Sequence, residues 1–393
     1  MLPDYDVIII GGGPGGASAG IVLSESGLKT LIADECNFPR EKVCGDGLTG
    51  DSIRNLKYLG AWRDVLNAGH RMGKIEFFPF PEQSFTINAE IVTFERKVLD
   101  DILLKKALKN NVNFEQLLFT GKHEIRNALI FLEFTKKDTN EKRIISCTYA
   151  VIATGCQKLN VLKTISNGKI NKPDLAAVRG YYKGDFPITH PMVYFDERLK
   201  NGYAWIFPMG RGFFNIGCGV KTKIASSINL QLLLKEFVDE INEKYGVAQG
   251  VWKEKPKGAV LSSGMKNYRH LKLKNTFFVG ETIGSTYSYT GEGIGKALET
   301  GINAAHTILN FYKKKKDIGK VYRKILRKEL FPRYRPYFWA DKLFTSPLKN
   351  YFYRKICVSK RLQNVIAGIL TERIRFEEVL SVKKLYTKLF WKR

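Results

Sequence analysis

The residues with the clearest capacity for chemistry stand within the first fifty positions. Gly11, Gly13 and Gly16, with Gly15 between the last two, satisfy the spacing GxGxxG directly after the apolar run 7–10. In that pattern the first glycine permits a tight turn, the second lets backbone approach a pyrophosphate, and the third lets a helix pack close against a strand. Asp34 follows 23 positions after Gly11, where a carboxylate can accept hydrogen bonds from ribose hydroxyls, and Glu35 is its neighbour and alternative. A dinucleotide held through its ADP half is predicted. Cys44 is the candidate reactive group: Arg40 and Lys42 beside it would lower a thiol pKa and suit it to proton delivery, whereas a lone cysteine otherwise serves as a small packing group. Tyr203, Trp205 and Phe207 alternate, so on a strand they share one face, either walling an apolar channel or filling a core. The five histidines have no metal-ligand spacing and the six cysteines no CxxC pair, so neither a metal site nor a disulfide framework is expected.

Positioning these residues requires a strand, a helix and a second strand in close succession. YDVIII is short, apolar and rich in β-branched residues; a helix-like stretch over 17–26 stops before Gly27; LKTLIADE reads as a second buried strand. That is half of a parallel βαβ unit. Residues 75–95 alternate like antiparallel strands, 98–108 resembles an amphipathic helix, 143–154 and 177–220 look like strands, TFFVG is another, and 293–310 returns to helix. The expected fold class is therefore α/β. A Rossmann-type domain over 1–74, 96–175 and 268–310 interleaves with a β-sheet substrate domain over 75–95 and 176–267, and a basic helical C-terminal region follows over 311–393.

Three segments identify the dinucleotide. FPREKVCGDGLT over 38–49, YAWIFP over 203–208 and VGETIGSTYSYTGEGIGKALETG over 279–301 resemble the geranylgeranyl reductase family of flavoproteins, within the para-hydroxybenzoate hydroxylase-like fold. The resemblance spans about 4–310 and implies FAD. It puts the loop carrying Arg40, Cys44, Gly45 and Gly47 beside the isoalloxazine ring, and YxWxFP in the wall of the substrate cavity. Glu281, Gly291, Gly293 and Ile294 fall at the ribityl chain, pyrophosphate and flavin edge, and Arg96, Gly121, Thr154 and Gly155 complete the cofactor-binding set. Glu281 stands where the family usually has Asp, and Ser288 where Pro is common. The implied reaction is saturation of C=C bonds in a prenyl chain, on a geranylgeranyl lipid or prenylated quinone, by hydride from reduced flavin. With no second GxGxxG, the electron donor is expected to be transient NAD(P)H or a ferredoxin-like protein. Two alternatives remain: an aromatic monooxygenase of the same fold, and a membrane-docking flavoprotein without catalysis. Halogenation is disfavoured because YAWIFP replaces the halogenases' WxWxIP.

The composition, 44% hydrophobic and 26% charged over 393 residues, is that of a globular chain. Its charge of +26 is uneven: 311–393 holds 24 Lys/Arg against 6 Asp/Glu, a surplus of 18. Ile318, Val321, Tyr322, Ile325, Leu326 and Leu330 repeat at helical spacing against Lys320, Arg323, Lys324, Arg327 and Lys328. The pattern recurs at Val379, Val382, Leu385 and Leu389 with Lys383, Lys384 and Lys388. Such helices either pack on the body with a solvated basic face or dock on an anionic membrane surface; nucleic acid is not expected as a partner. Asp4 and Asp6 argue against an export signal, and no apolar run of about 18 residues occurs, so the expected location is cytoplasmic, with any membrane contact peripheral on the inner face. Oligomeric state is not legible.

Overall fold

The structure is a computed structural model that describes residues 2–314 and 317–374. Tyr5–Ile10, almost wholly buried and β-branched, is the centre of the first sheet. It pairs in parallel with Thr30–Asp34 (Val7 opposite Thr30) and with Lys142–Ile152 (Ile8 opposite Ala150). Edge to edge the order is Val112–Gln116, Thr30–Asp34, Tyr5–Ile10, Lys142–Ile152, Leu129–Thr135 and Leu118–Arg126, and Thr276–Phe278 also pairs with Lys142–Ile152. Helices Pro14–Leu23 and Ile294–Phe311 lie against each other at glycine contacts: a Cβ on Gly301 would stand 2.1 Å from the Gly15 carbonyl oxygen. The Ser18 hydroxyl donates to the Leu298 carbonyl at 3.1 Å across the same contact.

The second sheet has nine strands, ordered Val251–Trp252, Leu175–Lys183, Phe213–Lys221, Tyr203–Gly210, Met192–Tyr194, His70–Phe80, Gln83–Thr93 and Gly47–Leu48, with Lys257–Leu261 also on Leu175–Lys183. Its pairings are antiparallel except Met192–Tyr194 with His70–Phe80. Helix Leu230–Tyr245 covers one face; the Asn229 side chain caps its amides and Gly246, in the left-handed region, ends it. Gly47–Leu48 pairs with Gln83–Thr93, so the loop after the second strand of the first sheet is carried across to the second.

The basic C-terminal region is helical over Ile318–Ile325, widens by a π-turn at Leu326–Leu330, and continues as Phe331–Phe344, Lys349–Val358 and Lys360–Leu370. Ile318, Tyr322, Leu326 and Leu330 are buried in the main core, and the Tyr322 hydroxyl donates to the carbonyls of Phe278 and Thr300 at 3.1 and 3.2 Å. The first amphipathic stretch thus spends its apolar stripe on the protein body. The second, 379–389, lies outside the described residues.

A buried ion cluster ties this region to the cofactor half. The Lys296 ammonium, fully buried, meets Glu372 at 2.6 Å, Asp51 at 3.2 Å and Glu299 at 3.3 Å; Arg54 also reaches Glu372, and Arg333 reaches Glu299. Three carboxylates around one lysine are tolerable only while that charge is present, because an unneutralised buried charge is expensive. Lys296→Met is therefore expected to lower the free energy of unfolding by about 3–5 kcal/mol at neutral pH, measured by urea titration. The deficit should shrink as falling pH protonates the carboxylates; a change below about 1 kcal/mol would contradict the cluster's role.

Candidate active site

Gly11 ends the first strand at φ +105°, and a Cβ there would sit 2.4 Å from the Ala153 carbonyl oxygen. A Cβ on Gly16 would sit 1.8 Å from the Gly11 carbonyl oxygen. The turn between them delivers helix Pro14–Leu23 with Gly13 at its N-cap and no side chain capping its first amides; helix Ile294–Phe311 likewise begins after Gly293 without a side-chain cap. Gly13, Pro14, Gly15, Gly293, Ile294 and Ala297 all line one cavity. Two helix N-termini with free amides and positive dipole ends open there together, which fits the pyrophosphate of a dinucleotide.

The flanking residues extend the fit. Asp34 accepts from the Gly12 amide at 2.8 Å and the Cys36 amide at 2.9 Å, one bond per oxygen, which fastens the loop and leaves each oxygen able to accept from a ribose hydroxyl. Glu35 is turned to Lys158 at 2.5 Å and Lys137 at 4.0 Å. Arg40 reaches the cavity, pairs with Asp100 at 3.4 Å and lies over the Phe38 ring. Arg96 holds the same Asp100 through two bonds of 2.8 and 2.7 Å. Gly45, Gly47, Thr154, Gly155, Glu281 and Gly291 line the cavity too. Glu281 spends Oε1 on the Cys156 thiol and the Ser262 amide, at 3.2 and 3.3 Å. Gly121 does not line the cavity: its φ is +91°, and a Cβ there would stand 3.2 Å from Val161 and Thr164 of helix Leu159–Ile165. Among the described residues no cluster of His, Cys, Asp or Glu could hold a metal.

The cavity's other end is walled by Tyr203, Trp205 and Phe207, which share a face of Tyr203–Gly210. The Trp205 indole donates to Asn215 Oδ1 at 2.9 Å; Asn215 Nδ2 donates to Asp46 Oδ2 at 2.8 Å and to the Cys44 carbonyl at 2.9 Å; the Tyr181 hydroxyl donates to Asp46 Oδ2 at 2.5 Å. Arg179 stacks 4.1 Å from the Tyr181 ring. Asp46 lines the cavity, is fully buried, has φ +60°, and its Oδ1 has no partner. Burial pushes its carboxyl up to about 7, against the hydrogen bond from Tyr181 and the charges of Arg179 and Arg96. The sequence reading missed this residue; its one signal is an acid between two glycines, Gly45 and Gly47.

Cys44 stands at the same wall, and its sulfur accepts from the Asp46 amide at 3.3 Å. The lowered pKa expected from Arg40 and Lys42 is corrected: burial, with the neighbouring Asp46 charge, pushes the thiol up. Arg40 is committed to Asp100, and burial lowers the Lys42 ammonium itself, with Glu281 opposing.

Comparison with known proteins divides along the same two ends. Residues 4–159 match the FAD binding domain family and 191–253 the geranylgeranyl reductase catalytic domain family, so the cradle's first glycine turn falls in the first match and YAWIFP in the second, while the helix after Gly293 lies beyond both. A menaquinone reductase of Mycolicibacterium smegmatis is 26% identical over 76% of this chain and 75% of its own length. A digeranylgeranylglycerophospholipid reductase of Sulfolobus acidocaldarius is 24% identical over 78% and 70%. A geranylgeranyl bacteriochlorophyll reductase-like structure from Thermoplasma acidophilum superposes with TM-score 0.80 at 18% identity, covering 98% of this chain and 99% of that one. A flavin-dependent brominase follows at 0.76 and 16%, covering 98% of each, and both structural likenesses speak to the fold. The protein is an FAD-dependent oxidoreductase. It is similar to the geranylgeranyl reductase family, whose catalytic domain matches residues 191–253.

The cradle makes a specific demand on Gly16. Gly16→Ala drives a methyl into the Gly11 carbonyl, and the purified variant is expected to retain less than about a tenth of the wild-type FAD, read from the flavin-to-protein absorbance ratio. Full occupancy would refute the cradle.

Proposed function

We propose that this enzyme saturates C=C bonds in the prenyl chain of a lipid or quinone. The observation that carries the reading is a single cavity that joins the FAD cradle to an aromatic wall and contains a buried carboxyl, Asp46, that holds its proton to near neutral pH. The FAD, once reduced by NAD(P)H or a ferredoxin-like donor, supplies a hydride equivalent. Tyr203, Trp205 and Phe207 exclude water and seat an apolar chain, and their ring faces favour carbocation-like charge on an unactivated alkene. Because Oδ2 of Asp46 already receives two hydrogen bonds, the acid proton resides on the unpartnered Oδ1, where it is available to the second alkene carbon. Cys44, a neutral thiol beside it, shapes that wall and is the candidate second donor.

The reaction is tested by incubating anaerobically reduced holoenzyme with a geranylgeranyl lipid and with a prenylated quinone, looking for a gain of about 2 Da per bond, one H2. Oxygen-dependent NADPH oxidation on an aromatic compound, with no such gain, would instead indicate a monooxygenase. The proton role has its own signature. A carboxyl raised to about 7 is protonated below that pH and ionised above it, so turnover should fall about tenfold per unit as pH rises past 7. Asp46→Asn should remove that limb and slow turnover at about pH 6 by roughly 100-fold, with FAD content unchanged. Cys44→Ser should keep both FAD and the limb. A limb that persists in Asp46→Asn excludes Asp46 as the acid.

Peripheral contact with an anionic membrane belongs to the same proposal. Leu348, Tyr351 and Val358 are exposed on and beside helix Lys349–Val358, next to Arg354 and Lys355, and no described helix is long and apolar enough to cross a membrane. Cosedimentation with phosphatidylglycerol vesicles should exceed that with phosphatidylcholine vesicles and fall in Leu348→Glu/Val358→Glu. Equal cosedimentation in every case would remove this face from the proposal.

A further inference from the structure

Arg179 lies in the strand Leu175–Lys183, is 2% exposed, and lines the FAD cavity. A guanidinium has five N–H donors, no acceptor and a permanent charge, so every donor taken out of water needs an acceptor. Among the described residues, Nη2 of Arg179 donates to the Lys42 carbonyl at 3.2 Å, while Nε and Nη1 make no hydrogen bond. Glu254 stands 3.9 Å from Nη1, but it is partly exposed and Lys257 holds it at 2.5 Å. On the same strand face, two residues along, is Tyr181. The guanidinium lies 4.1 Å from the Tyr181 ring, the Tyr181 hydroxyl donates to Asp46 Oδ2 at 2.5 Å, and Asn215, opposite Tyr181 in register, donates to the same oxygen. Asp46 Oδ1 has no partner. Unused cationic donors and an unused carboxyl oxygen thus line one cavity, separated by a single aromatic ring.

Loss of the Asp46 proton places a full negative charge in a buried site, which is costly unless a counter-charge and further donors meet it. The groups packed around it leave one such source. Arg96, from helix Arg96–Ala107, gives two bonds to Asp100 at 2.8 and 2.7 Å. Glu95 and Lys253 pair with each other at 2.9 Å, and Glu95 also pairs with Lys97. On the cofactor loop, burial keeps the Cys44 thiol neutral and lowers the Lys42 ammonium, whose opposing acid is Glu281. We propose that Arg179 is the positioning residue of the acid, and that its free Nε and Nη1 compensate the Asp46 carboxylate formed when the alkene takes the proton. The proton passes from Oδ1 to one alkene carbon, the hydride equivalent from FAD goes to the other, and one proton from solvent then restores the acid. Before the transfer the same charge opposes the rise that burial imposes on Asp46. This rests on the reading of Asp46 as the acid and deepens it by naming what stabilises its conjugate base.

The test uses FAD-loaded full-length enzyme. Arg179→Met and Arg179→Gln both remove the charge, so either variant that retains FAD decides, and Arg179→Lys restores the charge without the fork. Protonation of Asp46 is followed by the infrared carbonyl band of its neutral carboxyl, identified by its loss in Asp46→Asn. An opposite charge favours the ionised form, so its removal raises the midpoint: from about 7 it should move up by about one to three pH units in Arg179→Met and return toward the wild-type value in Arg179→Lys. The falling limb of turnover should move up with it. At about pH 6, kcat should drop about tenfold or more with KM nearly unchanged, the size expected for lost donors to a charged group. Because Arg179 acts through Asp46, Arg179→Met should cost little further turnover in an Asp46→Asn background. A midpoint that stays at the wild-type value in Arg179→Met, or a full additional loss in the Asp46→Asn background, overturns the role of Arg179 and leaves Asp46 as the acid. A pH limb that persists in Asp46→Asn overturns the reading of Asp46, and the role of Arg179 in turnover with it.

Discussion

The close approach of two helices is the constraint on which the rest depends. Pro14–Leu23 and Ile294–Phe311 begin 280 positions apart in sequence, yet their first turns must open on one cavity with their amides free. Glycine makes this possible: no side chain fits between Gly301 and the Gly15 carbonyl, or between Gly16 and the Gly11 carbonyl. Thr300 reinforces the junction by accepting from the Gly280 amide at 2.8 Å, which ties the second helix to the turn after Thr276–Phe278. The two dipoles then present concentrated positive potential at one place, and Arg40, whose guanidinium lies beside Gly13, adds its charge there. What glycine costs in backbone entropy at these positions is recovered as a geometry that no larger residue allows.

A second consequence concerns the loop that leaves Thr30–Asp34. It carries Arg40 and Cys44 past the cavity and then becomes a strand of the other sheet at Gly47–Leu48, so one short segment is anchored in both sheets. Asp46 is the pivot. Its left-handed backbone turns the chain, and its carboxylate is gripped by Tyr181 and Asn215, neighbours on adjacent strands of the second sheet. Trp205 hangs on the same Asn215. The orientation of an aromatic wall residue, the state of a buried acid and the path of the cofactor loop are therefore one hydrogen-bonded unit, in which Asp46 Oδ1 is left without a partner, as are Nε and Nη1 of the adjoining Arg179. A buried polar network left with open positions, facing a cavity, is physically costly unless those positions are used.

The first βαβ unit was legible because its signals are local: β-branched residues, glycines at fixed spacing and an acid at the strand end all act within thirty residues. The shared face of Tyr203, Trp205 and Phe207 was legible for the same reason, since strand periodicity alone determines it. Asp46 was not, because its proton affinity arises from burial beneath strands that carry Tyr181, Arg179 and Asn215, more than 130 residues away, and those three groups oppose the rise. Cys44 was misjudged on the same ground. Sequence neighbours Arg40 and Lys42 suggested an acidic thiol, but the folded loop sends Arg40 to Asp100, and burial governs the sulfur instead. Gly121, a glycine at positive φ, stands where a Cβ would press on helix Leu159–Ile165, a contact that local sequence does not show. The strands over 112–135 were not read, and their places are set by pairing with other strands, while helix Leu230–Tyr245 was passed over although Leu233, Leu234, Phe237, Val238 and Ile241 keep helical spacing.

The C-terminal region shows how charge patterning alone underdetermines structure. Its first helix reads as a basic amphipath that either packs on the body or docks on a membrane, and Tyr322 and Leu326 are core residues of the cofactor half. The chain then runs on to Glu372, which reaches Lys296 beneath the cavity, while Leu370 and Asp341 contribute to the cavity wall itself. A segment with a large positive surplus is thus held by a carboxylate inserted into a buried cluster, not by its abundant lysines. Cations on the outside of such a segment have little to gain from pairing with water-exposed neighbours, which leaves them free to face an anion. The described part of the region therefore encloses the chamber with Asp341 and Leu370 and turns Arg323, Arg327 and Arg335 toward a basic cavity that adjoins it.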